Sequence, residues 1–261
     1  MFGKNKKLKQ EITNGQILKV KKIFGTLQAE GPYTGYSAVF IRLSGCNLSC
    51  DFCDTEFEDY ELIEILEIYE LIKKKFSDWY NKFDLSEKLD EKYNLNNLPK
   101  LIVITGGEPF RQNIGPLCEL LLKYQHIVQI ESNGTLYYDI PKNTEIVCSP
   151  KINSGCYWPI NSKLVNNIIA FKFLICSKKN YIEIKEKANQ LNQIYYYSDL
   201  KILKKGLEIY KKQVPNSKIY FQPIDENNSL KNKENINATI KAVTEFNGIL
   251  SLQIHKLLEI E

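Results

Sequence analysis

From Leu101 onward one pattern repeats along the chain: a short, largely apolar and β-branched run, a turn, then a stretch with apolar residues at helical spacing. The runs fall at Leu101–Ile104, Ile127–Ile130, Glu145–Cys148, Ile168–Ile175 and Ile219–Gln222. Between and after them, helical spacing covers Ile114–Tyr124, Tyr181–Gln193, Asp199–Gln213 and Lys231–Phe246. Short apolar strands separated by helices require a mostly parallel sheet covered on its faces. Ahead of this region, Leu18–Phe24 and Ala38–Leu43 read as strands, and Leu250–Ile254 reads as a closing strand. Asp59–Phe83 reads as a helix carrying Leu62, Ile63, Leu66, Tyr69, Ile72, Phe76, Trp79 and Phe83, and the Asn-rich stretch 84–99 as a loop or short helix. No linker rich in Pro, Gly or Ser and no internal repeat divides the sequence, so 1–261 is predicted to be a single α/β domain. Functional groups in such sheets gather at the carboxyl ends of the strands, and Cys46, Gly106, Glu131 and Ser149 each follow a predicted strand.

The second predicted strand runs into Gly45-Cys46-Asn47-Leu48-Ser49-Cys50-Asp51-Phe52-Cys53-Asp54-Thr55. Three thiolates spaced Cys-x3-Cys-x2-Cys on one loop suit three irons of a [4Fe–4S] cube, with one iron left open to an outside ligand. The rival is part of a zinc site, which wants four N or S ligands in paired spacing. His126 and His255 are remote from the loop in sequence, and Cys118, Cys148, Cys156 and Cys176 show no paired spacing; these four read as small buried hydrophobes. An odd total of seven cysteines, three of them in one loop, is not a disulfide framework and points to a reducing compartment. The polar, basic stretch Met1–Gln16 carries no secretory signal, and nothing approaches the roughly 20 apolar residues of a membrane helix, so a cytoplasmic location is expected. Net charge is +4 with the lysines spread along the chain, which reads as a solvated surface rather than a nucleic-acid track.

The triplet, with Phe52 just before its last cysteine, resembles the signature of radical S-adenosylmethionine enzymes, and Thr105-Gly106-Gly107-Glu108-Pro109 resembles their second motif. Two glycines at a strand end have a plain use, letting a ligand approach the backbone closely. The resemblance narrows with Thr26-Leu27-Gln28-Ala29-Glu30-Gly31-Pro32, Gly35, Phe40-Ile41-Arg42 and Cys53-Asp54-Thr55, a block similar to that of the 7-carboxy-7-deazaguanine synthases. Glu131-Ser132-Asn133-Gly134-Thr135, Ser149-Pro150-Lys151, Phe221-Gln222-Pro223 and Leu252-Gln253-Ile254-His255-Lys256 follow in that family's order. The match is dense over 24–55, intermittent over 101–261 and weak over 59–98, which reads as a helical insertion.

The resemblance implies a partial or modified (β/α) barrel of the radical S-adenosylmethionine type, closed by the C-terminal strand. It implies conversion of 6-carboxy-5,6,7,8-tetrahydropterin to 7-carboxy-7-deazaguanine with loss of ammonia, on the route to queuosine and related 7-deazapurines. Its cofactors would be a [4Fe–4S] cluster, S-adenosylmethionine and Mg2+, and its partners a reducing protein such as flavodoxin or ferredoxin and a second copy in a homodimer. Residue by residue, Cys46, Cys50 and Cys53 would ligate the cluster and Thr55 would bind Mg2+ (its alternative use is to cap a helix). Leu27, Gln28, Ala29, Arg42, Thr105 and the terminal Glu261 would hold the pterin, Arg42 by gripping its carboxylate. Phe52, Gly107, Glu108, Glu131, Ser132, Ser149, Pro150, Lys151 and Gln222 would line the S-adenosylmethionine, Glu131 at a ribose hydroxyl; the alternatives are a core aromatic for Phe52 and an ion-pair partner for Glu131. His255 beside Lys256 is an acid/base pair or a strand histidine near the chain end. Two alternatives stay open: another radical enzyme such as a glycyl-radical activase, and a zinc-stabilised nucleic-acid-binding module.

Overall fold

The computed structural model describes residues 5–83, 100–178 and 193–260. Strand β1 (Ile17–Leu27) turns back through Gly31–Tyr33 into β2 (Ser37–Leu43), and the two pair antiparallel with Ile23 opposite Ile41 and Thr26 opposite Ala38. A third strand, β3 (Glu61–Glu64), pairs antiparallel on the other side of β1, with Ile17 opposite Glu64. Helix α1 (Ile65–Asn81) follows without a break and buries Ile65, Ile68, Ile72, Phe76 and Trp79. It lies so close to β1 that a Cβ on Gly25 would stand 2.7 Å from the carbonyl oxygen of Lys75 and 2.8 Å from the Cβ of Trp79.

The helix expected over Asp59–Phe83 therefore starts later, and its first part is a strand. Leu62 and Leu66, which the helical pattern would bury, are 66% and 64% exposed, while Ile63 points inward from β3. The backbone of 61–64 supplies hydrogen-bonding partners to the edge of β1, and that pairing overrides the local periodicity.

Beyond residue 100 the expected alternation holds: β4 (Leu101–Gly106), α2 (Gly115–Lys123), β5 (Ile127–Ser132), β6 (Glu145–Cys148), a small hairpin of β7 (Ile152–Asn153) and β8 (Cys156–Tyr157), then β9 (Ile168–Ile175). Helix α3 (Leu200–Gln213) opens on Asp199, whose carboxylate accepts from the backbone N–H groups of Lys201 and Ile202. Next come β10 (Lys218–Pro223), α4 (Ser229–Phe246), β11 (Ile249–Leu250) and one turn of helix, α5 (Ile254–Leu257). Asn228 caps α4, and Asn247 ends it in the left-handed conformation.

The large sheet runs β11-β10-β9-β6-β5-β4-β2-β1-β3, and every pairing from β2 to β11 is parallel. Its central strands are apolar on both faces, with Ile102, Val103, Ile104, Ile130, Val147 and Phe171 fully buried. The fold is the expected mixed α/β sheet of a single domain, but among the described residues it is open: β3 and β11 are edges, and the C-terminal strand does not close a barrel. The closing strand is also shorter than expected. Only Ile249 and Leu250 pair with β10; the chain then leaves at Ser251 and winds into α5, so His255 is helical. The helix expected over 181–193, the loop over 84–99 and residue Glu261 fall wholly or almost wholly outside the described residues. Among the described residues no helix is long and apolar enough to cross a membrane.

Candidate active site

All the strand ends that the sequence marks open into one cavity of about 310 Å³. The cysteine loop is fixed against the end of β4 by its glycines. A Cβ on Gly106 would stand 2.0 Å from the carbonyl oxygen of Leu43, and one on Gly107 2.1 Å from that of Gly45. Gly107 N–H donates to Leu43 O at 3.2 Å and Glu108 N–H to Gly45 O at 3.0 Å. The two glycines line the cavity, yet the close approaches that require them are to the chain's own backbone, Gly106 to the end of β2 and Gly107 to the start of the cysteine loop.

Cys46, Cys50 and Cys53 all line the cavity as free thiols, and no other cysteine does. Cys118 and Cys148 are in the main core, Cys156 is exposed, and Cys176 packs in a small cluster with Phe52, Tyr197, Ile152 and Ile224. Burial pushes the Cys46 thiol up to about 12, with the Glu108 carboxylate adding to it. Cys50 and Cys53 are raised by burial too, while Lys151 acts in the opposite direction on both. Three thiols on one cavity wall, with no fourth cysteine lining it, fit a cube with one open corner. Binding it releases protons, since the ligands are thiolates. Phe52 is buried and meets Tyr197 edge-on at 4.9 Å between ring centroids, so it is both core and cavity wall.

Leu27, Gln28, Ala29, Arg42, Thr55, Thr105, Glu131, Ser132, Ser149, Lys151 and Gln222 also line the cavity. The Arg42 guanidinium sits over the Phe24 ring at 5.2 Å, and among the described residues no carboxylate comes within ion-pair distance of it. Burial lowers its pKa, partly offset by Asp54. Thr55 Oγ1 donates to Asp54 Oδ1 at 3.2 Å, and it caps no helix, because α1 begins only at Ile65. Lys151 Nζ donates to both the carbonyl and the Oγ of Ser149 at 2.7 Å.

Glu108 and Pro150 do not line the cavity. The Glu108 carboxylate is fully buried and accepts from Phe110 N–H, Ser132 Oγ and Asn133 N–H at 3.1, 2.8 and 2.7 Å, which ties the end of β4 to the end of β5. Burial raises its pKa against those three bonds. His255 lines the cavity but Lys256 does not: its Nζ pairs with Asp225 at 2.5 Å, so the two are not an acid/base pair in one space. Burial lowers the pKa of His255.

Three features lie beyond the roles the motifs imply, although the first realises the ion-pair alternative for Glu131. A buried ion triad forms part of the wall, with Lys172 Nζ 2.5 Å from Glu30 Oε2 and 3.0 Å from Glu131 Oε2. Burial works against Lys172, but the two carboxylates outweigh it and hold the lysine protonated well above its ordinary range. Burial also opposes charge on Glu30, yet Lys172 and Gln253 hold that carboxyl down at about 2. Glu131 is pushed up by burial, which its bond to Lys172 only partly offsets. A lone lysine in the apolar run Ile168–Ile175 was the available signal, because a buried cation demands a partner. The second feature is an amide relay in which Asn133 donates to Asn47 and Asn47 to Thr135, locking the cysteine loop to the end of β5. The third is Asn5, in the polar stretch ahead of β1, which also lines the cavity.

The chain is 41% identical over 261 residues to the 7-carboxy-7-deazaguanine synthase of Rickettsia prowazekii, covering all of this chain and 96% of that protein. It is 37% identical over 183 residues to the enzyme of the same name from Rhodospirillum rubrum, covering 68% of this chain and 66% of the relative. No family model matches the chain. Among solved structures, the crystal structure of QueE from Escherichia coli superposes with a TM-score of 0.58 at 22% identity, covering 90% of this chain and 93% of that one, which supports the fold.

Proposed function

Since the chain belongs to the 7-carboxy-7-deazaguanine synthase family, we propose that it converts 6-carboxy-5,6,7,8-tetrahydropterin to 7-carboxy-7-deazaguanine, with loss of ammonia, on a route to queuosine or a related 7-deazapurine. It is a radical S-adenosylmethionine enzyme with a [4Fe–4S] cluster. The observation that carries the reading is the sharing of one cavity. The three thiols of the loop, Arg42, Thr105 and the strand-end residues of the family block converge on about 310 Å³, a volume on the scale of ligand pockets.

When bound, the cluster and S-adenosylmethionine supply the radical chemistry; the chain binds, orients and excludes water. Cys46, Cys50 and Cys53 hold the cluster. Arg42, which has no ion-pair partner among the described residues, grips the pterin carboxylate, with Phe24 under its guanidinium. The Lys172 triad sums to one net negative charge in the wall, which suits the N–H-rich edge of a 2-aminopyrimidinone ring. Leu27, Gln28, Ala29 and Thr105 flank that ring, while Gly107, Ser149, Lys151, Gln222 and Phe52 face S-adenosylmethionine. Thr55 Oγ1 and Asp54 Oδ1 are hard donors side by side on the cavity wall and fit Mg2+, which keeps its remaining positions for water and substrate oxygens. From the family resemblance we extend the reading to a small reducing protein as electron donor and to a homodimer.

The test is anaerobic turnover of 6-carboxytetrahydropterin by the reconstituted chain with S-adenosylmethionine, Mg2+ and reductant, followed by mass detection. The expected product is the deazaguanine acid. Protein that cleaves S-adenosylmethionine yet leaves the pterin unchanged would overturn the substrate and favour an activase.

A further inference from the structure

The segment ahead of β1 is laid across the cysteine loop and fastened at several points. Leu8 N–H donates to Cys46 O at 2.8 Å, and Glu11 N–H donates to Arg111 O at 2.8 Å. Gln10 Nε2 donates to the carbonyls of Phe110 and Tyr137. The Arg111 guanidinium, buried beneath, donates to Ser44 O, Lys9 O and Glu11 Oε1. At the far end of this strap Asn5 is 5% exposed, its carbonyl accepting from Ser49 Oγ at 3.1 Å. Its side-chain Nδ2 donates to Thr55 O at 2.9 Å and to Cys53 Sγ at 3.5 Å.

We propose that Asn5 is a positioning residue for the cluster: its amide donates to the Cys53 sulfur, steadies the cluster-binding loop and raises the cluster's reduction potential. This rests on the cluster assignment made above. The orientation of the amide is decided by chemistry, because Thr55 O only accepts and so must face the NH2 group, whose second N–H then points at the sulfur. As a thiol, Cys53 contacts Thr55 O at 3.4 Å. As a cluster ligand it has lost that proton, and the Asn5 amide remains as the donor between two acceptors. One-electron reduction adds negative charge that the ligand sulfurs share, so an N–H donor stabilises the reduced form more than the oxidised one. A buried primary amide needs these partners in any case, which gives Asn5 one well-defined geometry.

The experiment is an anaerobic redox titration of the reconstituted full-length protein, followed by EPR, for the parent and for Asn5→Ala, Asn5→Asp and Gln10→Ala. Asn5→Ala removes both N–H groups, and Asn5→Asp keeps the shape while replacing donors with negative charge. Both are expected to bind iron and sulfide and to show a lower midpoint potential, Asn5→Asp the lower of the two. Gln10→Ala loosens the strap without touching the loop and is expected to keep the parent potential. An Asn5 variant with a complete cluster at the parent potential overturns the inference. So does a Gln10→Ala shift as large as that of Asn5→Ala, which would trace the effect to strap docking. Parent protein that binds no iron and sulfide would refute the function itself and take this inference with it.

Discussion

Replacing Lys172 with methionine puts the buried triad to its strictest test. Methionine follows the apolar stem of lysine closely and removes only the charged end. In the parent that end bridges Glu30 and Glu131 at 2.5 and 3.0 Å, and the lysine side chain is 8% exposed. Without it two carboxylates are left together in the cavity wall, and Lys151, the other cation acting on Glu131, is engaged by Ser149. Removing one partner of a buried ion pair costs about 3–5 kcal/mol, because the remaining charge is left without compensation. For a chain of this size each kcal/mol moves Tm by roughly 2–4 °C, so the variant should melt about 6–20 °C below the parent near neutral pH.

The pH dependence carries the distinctive sign. In the parent, Glu30 is held at about 2 against the burial that would raise it, below its ordinary 4.5. Its contribution is therefore full above about pH 4.5 and is lost as pH falls towards 2. In Lys172→Met both carboxyls are raised, so the folded state binds protons more readily than the unfolded chain and stability grows as pH falls. The gap in Tm between variant and parent should narrow from pH 8 to pH 5.5, read by circular dichroism on anaerobic, cluster-loaded protein. Adding Glu131→Gln to Lys172→Met should recover part of the loss at pH 8. A variant that melts with the parent at every pH would refute the claim that this triad is a dry, coupled unit.

Three further substitutions probe the rest of the site. Gly107→Ala drives a Cβ to 2.1 Å from Gly45 O and 2.4 Å from Gly45 C, backbone atoms that cannot swing aside, so iron and sulfide content after reconstitution should fall well below the parent's. Thr55→Ala should keep the cluster spectrum while losing the response of turnover to Mg2+; since even outer partners of a metal site are worth about 10–100-fold, kcat/KM should fall at least tenfold. Arg42→Lys keeps the charge but not the fork, and losing a charge-assisted bidentate contact of about 1.5–3 kcal/mol should raise KM for the pterin roughly 10- to 100-fold with little change in kcat.

How far the sequence disclosed this arrangement depends on how local each cause is. The parallel strands were readable because burial on both faces leaves an apolar run that needs no partner to be recognised. Strand β3 was not, because Glu61–Glu64 takes its conformation from the edge of β1, far away in sequence. The cysteine loop declared itself by spacing alone. Glu108 stood in a motif and was expected at the cofactor, but its carboxylate meets two backbone N–H groups and the Ser132 hydroxyl, donors that only the folded turns bring together. The glycines beside it were rightly expected to permit a close approach; the sequence did not say to what.

The triad and the strap make the same point from the other side. Glu30 precedes a turn after β1, Glu131 is in β5 and Lys172 is in β9, and they meet because the β1–β2 connection and these parallel strands deliver side chains to one end of the sheet. Glu30 and Glu131 stand in motifs that do not say they meet, whereas a lysine in a strand as apolar as Ile168–Ile175 must either break the strand's burial or find its counter-charges. Asn5 offers no such tension, since an asparagine in a polar tail is what any tail contains. Its importance arises only when the strap is docked and the amide is sealed from water between a carbonyl and a sulfur. A motif search can locate the thiols that hold a cluster, whereas the groups that set the charge around them are chosen by the sheet and need no signature of their own.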